Sequence, residues 1–144
     1  MIQTLDGMRR DLSLLADFVE PHLGMDGPTI LYGYPPSQAA LAQVRPGSPP
    51  VAERFELYLN GIELANGYHE LLDAQELVRR SQRSNQQRLG DGNQPLPETS
   101  YLLQAMEAGL PDCCGVALGF DRLVMLAAGV ESIEQVLTFP FDRA

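Results

Sequence analysis

The dipeptide Asn60-Gly61 lies between two short runs in which apolar and polar residues alternate, and this feature restricts the possible folds most strongly. The runs are FELYL before the dipeptide and IEL after it. Alternation with a period of two is typical of a half-buried β-strand. Asn-Gly favours a two-residue turn, because both residues tolerate positive φ angles. The sequence therefore predicts an antiparallel β-hairpin over residues 51–71.

The second arm of this hairpin carries a group of polar side chains. Asn66, Tyr68 and Glu70 are two residues apart and share one face of a strand. Glu63 has the wrong parity, so a bulge near Asn66-Gly67 is needed if all four side chains meet. Carboxylate and amide oxygens suit a hard cation such as magnesium. The alternative, which spacing alone favours, is an antiparallel sheet that turns its polar face to water.

Helical and strand patterns both occur in the rest of the chain. Their boundaries follow from capping residues, glycines and prolines. The expected elements are, in chain order, an amphipathic helix over residues 5–20 that ends at Pro21, a short buried strand over 29–32, a proline-rich loop over 45–50, a helix from the cap Asp73 to Leu89 that stops at Gly90, a helix from Thr99 to Ala108, a small-residue strand over 115–119, a helix over 120–128 that stops at Gly129, and a last strand over 136–139.

The strand-to-helix unit around Gly119 is a second candidate site. Glycine lets a backbone come close to a ligand such as a phosphate or a flat base. Arg122 follows one turn into the helix, near its positive end, where an anion is favoured. The alternative is that Gly115 and Gly119 only let the helix pack tightly on the sheet, with Arg122 paired to an acid. This unit alone does not decide between the two.

Composition excludes several classes of function. With 144 residues and 44% hydrophobic content, one compact domain is expected. The formal charge of −9 and the absence of a basic stripe argue against binding of nucleic acid by this piece alone. No apolar run is long enough to span a membrane, and no signal peptide is recognised, so a cytoplasmic location is expected. The adjacent Cys113 and Cys114 are expected to be free thiols, and His22 and His69 to be structural or solvent-facing.

Both candidate sites also resemble one known family. The text GVALGFDRLVMLAAG resembles motif 3 of the class II aminoacyl-tRNA synthetases, and ERFELYLNGIELANGYHEL resembles the metal and substrate hairpin of the lysine-specific subgroup. SIEQVLTFPFDRA resembles the closing strand of that subgroup, while the first fifty residues match less specifically. The resemblance implies an α+β fold, an antiparallel sheet flanked by helices. Residues 1–144 would then form the carboxy-terminal part of the catalytic domain, with motif 3 at about 115–129 and an N-terminal truncation.

The resemblance also implies the reaction and the site. ATP and magnesium would activate lysine or β-lysine as an aminoacyl-adenylate. The resemblance implies that Glu63 and Glu70 bind magnesium. Glu70 would also contact the ammonium end of lysine, Asn66 its polar end and a metal, and Tyr68 its aliphatic stem. Ala117 would select the lysine isomer, Gly119 and the backbone of Leu64 would contact the nucleotide, and the catalytic Arg122 would neutralise phosphate charge.

Two branches of the family are distinguished by their acceptor. Lysyl-tRNA synthetases charge tRNA-Lys, whereas shorter paralogues attach β-lysine to a lysine of elongation factor P. Three details favour the paralogues: the text YPPSQAALA, HEL in place of SEL after the aromatic residue, and PDCCGVALG instead of a synthetase's PPTGGLGIG. Ala117 then stands where synthetases have glycine. A non-catalytic module that keeps part of the lysine pocket is a third hypothesis.

Motifs 1 and 2 of the family are absent from the sequence. Motif 2 would supply an arginine for the α-phosphate and a loop for adenine, so the isolated chain is expected to activate lysine poorly or not at all. Without these segments the sheet should have an unpaired edge and an uncovered apolar face. Self-association, for example as a homodimer, is therefore expected.

Overall fold

A computed structural model of the chain describes residues 14–141. Within these residues, a five-stranded antiparallel sheet has the order β1-β3-β4-β5, with β2 pairing to β3, which confirms the α+β prediction. The strands are β1 (Thr29–Tyr34), β2 (Val44–Arg45), β3 (Val51–Leu59), β4 (Ile62–His69) and β5 (Cys114–Leu118), and the helices are α1 (Ala74–Gly90), α2 (Tyr101–Ala108) and α3 (Phe120–Ala128). Single turns of tighter or wider helix occur at Leu15–Val19, Glu20–His22, Pro36–Gln38 and Ile133–Gln135.

The hairpin predicted from Asn60-Gly61 is present as β3 and β4. Both turn residues have positive φ angles, 52° at Asn60 and 71° at Gly61, as a type I′ turn requires. The N–H of Asn60 donates to the Gly24 oxygen at 3.0 Å, and the N–H of Gly61 donates to the Leu23 oxygen at 2.8 Å. A Cβ atom at Gly61 would lie 2.7 Å from the backbone oxygen of Pro21. The turn is therefore packed against the preceding segment of the chain.

The chain divides into two compact units. Among the described residues, the first unit consists of residues 14–32, 55–67 and 116–141. The second consists of residues 33–54 and 68–115. Each has its own buried side chains and is described by itself below.

The first unit is built around the hairpin and α3. Tyr58, Leu64 and Met125 are buried there. The hydroxyl of Tyr58 donates to the buried carboxylate of Glu56 at 2.6 Å, which satisfies a polar group that would otherwise be costly to bury. Helix α3 ends at Gly129 with φ 68° and ψ 30°, a left-handed C-cap that confirms the predicted stop.

The second unit contains α1 and α2. The Asp73 side chain accepts hydrogen bonds from the backbone N–H groups of residues 75 and 76 at 2.9 and 3.0 Å, which confirms it as the N-cap of α1. Helix α1 includes Gly90, so it runs one residue beyond the predicted end. Helix α2 begins after Ser100, whose hydroxyl accepts from the N–H of Leu103, so the prediction that Thr99 begins this helix was wrong by two residues.

The predicted strand over residues 29–32 forms, but it is not buried. Ile30 is 57% exposed and Tyr32 is 78% exposed. The apolar run TILY predicted that both faces of this strand are buried. However, β1 lies at one end of the sheet. The prediction of a buried strand was therefore wrong.

The last predicted strand, over residues 136–139, is not among the strands of the described residues. The segment instead begins with the turn Ile133–Gln135. The N–H of Gln135 donates to the Ser132 oxygen, and the N–H groups of Val136 and Leu137 both donate to the Ile133 oxygen. These donors are used within the turn, so they are not available to a sheet ladder.

The predicted first helix lies mostly outside the described residues. In its described part, Leu15–Val19 forms one wide helical turn and Glu20–His22 a tight one. Pro21 lies within the tight turn, so the helical conformation continues to His22 instead of ending at the proline. Between residues 14 and 141, no helix is both long and apolar enough to cross a membrane.

Candidate functional site

A cavity of about 420 Å³ in the first unit contains most of the predicted site residues. Its volume falls within the range of roughly 300–1,000 Å³ that is usual for small-molecule sites. The lining comes from β4, the end of β5 and the start of α3. The predicted site residues in this lining are Glu63, Leu64, Asn66, Ala117, Gly119 and Arg122.

Arg122 is held at the mouth of this cavity by the backbone of β4. Its Nη1 atom donates to the backbone oxygen of Glu63 at 2.8 Å and lies 3.9 Å from the Glu63 Oε2 atom. The Arg122 side chain is 49% exposed, so this ion pair is screened by water and weak. A guanidinium has five N–H donors in a fixed plane. The backbone bond therefore orients the group without using its capacity to bind an anion.

Gly119 joins β5 to α3 and lies beside Arg122. Its N–H donates to the Leu64 oxygen at 2.8 Å, which ties the start of α3 to β4. Its φ angle of −75° is one that any residue can adopt. A Cβ atom built here would find its nearest neighbour, the Arg122 Cδ atom, at 3.4 Å. Neither backbone conformation nor crowding within the chain requires glycine at this position.

Glu63 and Asn66 are linked although their spacing of three places them on opposite faces of an ideal strand. The Asn66 Nδ2 atom donates to the Glu63 Oε1 atom at 3.2 Å. Between them, Leu64 and Ala65 are both buried, so the alternation of β4 fails at this point. The failure allows the two polar side chains to reach the same side, as their predicted common site requires.

Glu70 belongs to the second unit, where its backbone and its carboxylate are both restricted. Its N–H donates to the Cys113 oxygen at 3.0 Å, and its carbonyl oxygen accepts from the Gln43 Nε2 atom at 3.0 Å. A Cβ atom built at Gly115 would overlap with the Glu70 Oε1 atom. Any residue larger than glycine at position 115 would therefore displace this carboxylate.

Tyr68, also in the second unit, lies near an arginine that stacks on aromatic rings. The guanidinium carbon of Arg54 is 4.4 Å from the ring centre of Tyr34 and 6.0 Å from that of Tyr68. The Arg54 Nη1 atom donates to the Gln38 oxygen at 2.9 Å. Both ring distances are within the range of cation–π attraction. Arg54 thus supports the Tyr68 ring from one side.

His69 lies between two carboxylates in the second unit, which the sequence analysis did not foresee. Its Nδ1 atom is 2.5 Å from Glu53 Oε2, and its Nε2 atom is 2.7 Å from Asp112 Oδ1. A protonated ring could donate to both carboxylates, and its Nε2 atom also lies 3.2 Å from the Gln43 Nε2 atom. The hydrogen bond to the Glu53 carboxylate, followed by that to the Asp112 carboxylate, raises the pKa of His69 above its ordinary value. The expectation of a structural role for His69 agrees with this geometry.

The family model for tRNA synthetases class II (D, K and N) matches residues 14–143. The chain belongs to this family. The resemblance found in the two sequence motifs is thereby confirmed.

The chain is also similar to curated proteins named elongation factor P–(R)-β-lysine ligase. The one from Klebsiella pneumoniae strain 342 is 56% identical over 126 residues, which cover 88% of this chain and 39% of that protein. The one from Salmonella gallinarum strain 287/91 is 54% identical over 131 residues, covering 91% and 40%. This chain of the class II family therefore spans about two fifths of the length of these relatives.

Several cavity residues of this class II chain were not predicted as site residues. They are Ala65, Leu118, Asp121 and Ile133. Ala65, Leu118 and Asp121 are adjacent in sequence to predicted site residues, so a broader definition of the two motifs would include them. Ile133 follows α3 by five residues and carries no local signal, because only the turn Ile133–Gln135 brings it to the cavity.

The cavity's donor set fits a metal-bound nucleotide better than a bare one. Glu63 and Asp121 are acidic and Arg122 is basic, so the lining carries one more negative charge than positive. Within the described part of the chain, no group of three or more His, Cys, Asp or Glu side chains is placed to hold a metal. Magnesium is usually held by one or two carboxylates together with substrate phosphates. Glu63 and the amide of Asn66 meet that pattern.

A second cavity, of about 580 Å³, shares Glu63, Arg122 and Ile133 with the first. Its other lining residues include Tyr58 and Met125 from the core of the first unit. Glu63 and Arg122 thus contribute to the lining of both cavities.

Proposed function

We propose that this chain supplies the carboxy-terminal part of a site that activates lysine or β-lysine with ATP, for transfer to a lysine of elongation factor P. The observation that carries the proposal is the common cavity of Arg122, Gly119, Glu63 and Asn66. Family membership and the names of the curated relatives support it. The chain spans only about two fifths of those relatives, so the rest of the site would come from segments that they have in addition.

The nucleotide would lie along Gly119 and Arg122. A carboxylate oxygen of the amino acid attacks the α-phosphorus of ATP, the bond to the bridging oxygen breaks, and pyrophosphate leaves. Arg122 would neutralise the charge that develops on the phosphate oxygens. Because Gly119 has no side chain, it would leave room for the nucleotide. The backbone of Leu64 would contact the nucleotide.

Magnesium is implied by the family and by the charge of the cavity. When bound, it would neutralise phosphate charge and so reduce the repulsion between the phosphates and the acidic lining. Glu63 is the ligand that the cavity geometry favours, with Asn66 beside it at 3.2 Å. The resemblance adds Glu70 as a second ligand, and this remains a prediction.

The amino acid would be recognised chiefly by charge and shape. Glu70 would face the ammonium group of the lysine side chain, and Tyr68 would pack along the aliphatic stem. Asn66 would meet the polar end of the substrate. Ala117, in the cavity lining, would distinguish α-lysine from β-lysine through its single methyl group.

We propose elongation factor P, and not tRNA-Lys, as the acceptor. The proposed location is the cytoplasm. The curated relatives are named as elongation factor P ligases. A net charge of −9 also disfavours RNA, because phosphate contacts require clustered Lys and Arg. If tRNA-Lys were aminoacylated and elongation factor P were not, the acceptor part of this proposal would be wrong.

The test is ATP–pyrophosphate exchange with lysine and with (R)-β-lysine. Two proteins would be compared: this chain alone, and an extended chain in which the upstream part of the Klebsiella pneumoniae relative precedes it. We expect exchange by the extended chain and little or none by the short one. Lysine binding without exchange in either form would indicate the non-catalytic module instead.

Self-association of the short chain is also proposed. Val116, Leu118 and Phe120 of the first unit are 66%, 52% and 67% exposed. Strand β5 is the last strand in the sheet order of the described residues. Edge strands with apolar side chains favour pairing with another chain. Sedimentation velocity should therefore detect dimers or larger species, and a strictly monomeric, cooperatively folded chain would refute this expectation.

A further inference from the structure

The strand β4 ends at His69, and the residue after it, Glu70, is surrounded by hydrogen bonds within the second unit. The Glu70 N–H donates to the Cys113 oxygen at 3.0 Å, and the Glu70 carbonyl accepts from the Gln43 side chain at 3.0 Å. The next N–H, of Leu71, donates to the Leu41 oxygen at 2.7 Å. Two segments, one before β3 and one before β5, thus fix the backbone at Glu70.

The Gln43 amide is the centre of this arrangement. Its Nε2 atom lies 3.0 Å from the Glu70 oxygen, 3.3 Å from the Asp112 Oδ1 atom and 3.2 Å from the His69 Nε2 atom. An amide NH₂ group has two hydrogens, so it can donate to both oxygens. The opposite amide orientation would direct an oxygen at two acceptors. The two acceptors therefore determine which way the Gln43 side chain points.

Asp112 is held in turn by a charged pair. Its Oδ1 atom accepts from the His69 Nε2 atom at 2.7 Å, and the other ring nitrogen of His69 bonds Glu53. Asp112 also immediately precedes Cys113, the residue whose oxygen accepts from Glu70. Fixing Asp112 therefore restricts both the Gln43 amide and the carbonyl that binds the Glu70 N–H.

We infer that Gln43 and Asp112 are positioning residues that set the direction of the Glu70 carboxylate toward the ammonium group of a lysine-type substrate. The inference rests on the proposed role of Glu70 in amine binding. A glutamate carboxylate, at the end of three rotatable bonds, depends on the placement of its backbone, and a shift of about 1 Å at a binding group can reduce its effect a hundredfold. Gly115 supplies the space for the carboxylate, and Gln43 and Asp112 supply its anchor.

A contribution to stability alone would be a different role, and the two can be separated. A stabilising bond that does not position Glu70 would change the free energy of unfolding without a selective change in amine affinity. A positioning bond would change the amine affinity and the protection of the Glu70 amide in a chain that remains folded. Rescue by a residue that retains the acceptor oxygen would support the second role.

The test uses the 144-residue chain and four variants. Gln43→Met removes both amide hydrogens at similar length, and Gln104→Met makes the same change at an exposed position of α2 as the matched control. Asp112→Ala removes the acceptor, whereas Asp112→Asn keeps an acceptor oxygen. Calorimetric titration with lysine and with (R)-β-lysine measures affinity, hydrogen exchange measures protection of the Glu70 amide, and thermal unfolding checks that each variant is folded.

We expect Gln43→Met and Asp112→Ala to weaken amine binding about tenfold and to accelerate exchange of the Glu70 amide by a similar factor, the usual effect of one lost hydrogen bond. Gln104→Met should change neither quantity, and Asp112→Asn should restore most of the affinity.

Three outcomes would overturn the inference. If the wild-type chain binds amine and Gln43→Met binds it equally well, the positioning role fails while the proposed function stands. If hydrogen exchange of the Glu70 amide is unchanged in a folded Gln43→Met chain, Gln43 does not fix the backbone at Glu70, and the inference fails. If the wild-type chain binds neither amine, the proposed amine site of this chain fails, and the inference fails with it.

Discussion

Gly115 lies within β5 and Gly119 directly follows its end, and a methyl group added at these two positions would meet different surroundings. At Gly115, in the second unit, a Cβ atom would overlap with the carboxylate of Glu70. At Gly119, in the first unit, the nearest atom to such a Cβ would be 3.4 Å away, an ordinary contact. One glycine leaves room for a side chain of the same protein, while the other could carry a methyl group in ordinary van der Waals contact.

The difference shows how a site residue can be recognised without a bound ligand. A glycine that its own chain requires can be explained by packing alone. A glycine with an ordinary φ angle, no crowding and a place in a cavity lining has no such explanation within the chain. Gly119 is therefore stronger evidence for an external ligand than Gly115 is, although both lie in the same sequence motif.

The largest expected effect comes from Arg122, beside Gly119. Arg122→Ala in the extended chain should reduce the rate of ATP–pyrophosphate exchange about 300-fold, because a charge-neutralising donor is lost. Fold stability should change little, since the side chain is half exposed. Calorimetric lysine affinity should be retained. If lysine affinity fell by as large a factor as the exchange rate, Arg122 would also act on lysine binding, and the regions around Gly119 and Gly115 would not have separate roles.

Gly115→Ala tests the other region. The added methyl must displace the Glu70 carboxylate, so lysine affinity should fall about 100-fold. The free energy of unfolding should change by about 1 kcal/mol or less, because the overlapping atom is at the end of a flexible side chain. Calorimetry and urea denaturation measure the two quantities. Unchanged lysine affinity would contradict the proposed role of Glu70.

Gly119→Ala should act on the nucleotide and not on the fold. The methyl group makes ordinary contacts within the chain, so the urea midpoint should match that of the wild type. In the extended chain, the KM for ATP should rise about 30-fold, because the methyl occupies space proposed for the ligand. If the variant unfolds instead, the contrast between the two glycines is wrong.

Ala117 lies between the two glycines and should affect selectivity. Ala117→Gly in the extended chain should shift the preference for (R)-β-lysine over lysine by about tenfold, the usual effect of one methyl group in a pocket. The ratio of kcat/KM values in the exchange reaction measures this preference. The same ratio before and after the substitution would refute a role for Ala117 in isomer choice.

The smallest effect concerns pH and is confined to the second unit. The carboxylates of Glu53 and Asp112 raise the pKa of His69, so the folded chain binds this proton more tightly than the unfolded chain. The resulting stabilisation is fully present below about pH 6.5, the ordinary value for histidine, and is lost as pH rises through the folded pKa. Urea midpoints should therefore decrease modestly between pH 6 and pH 8.5.

The control for this pH dependence is His69→Asn, which should lack the decrease. The pKa of Glu76 is lowered, first by its hydrogen bond from Arg79, so its stabilisation is present above about pH 4.5 and is lost only as pH falls through its folded pKa. It does not contribute between pH 6 and pH 8.5. An equal pH dependence in the variant would assign the effect to other groups.

Much of the fold could be predicted because its signals are local. Asn60-Gly61 determines the turn by its own φ angles, Asp73 caps α1 with its own side chain, and Gly129 ends α3 in the left-handed region. None of these depends on a distant residue. The resemblance of two motifs supplied the family, which the comparisons confirmed.

Predictions failed or were missing where distant residues decide the outcome. The exposure of Ile30 depends on which strands flank β1, and the loss of the last strand depends on turn bonds to Ile133. For the candidate site, the cavity brings Glu63 and Asn66 together with Arg122, as predicted, but the place of Ile133 could not be predicted. The pairing of His69 with Asp112 across 43 residues has no signature in the sequence.

The packed hairpin turn has a practical consequence. Loop tips are usually the safest places to insert an epitope or to open new chain ends. Here the N–H groups of Asn60 and Gly61 are bonded to Gly24 and Leu23, and Pro21 lies too close to Gly61 for any larger residue. Insertions or permuted termini at this tip should therefore unfold the first unit.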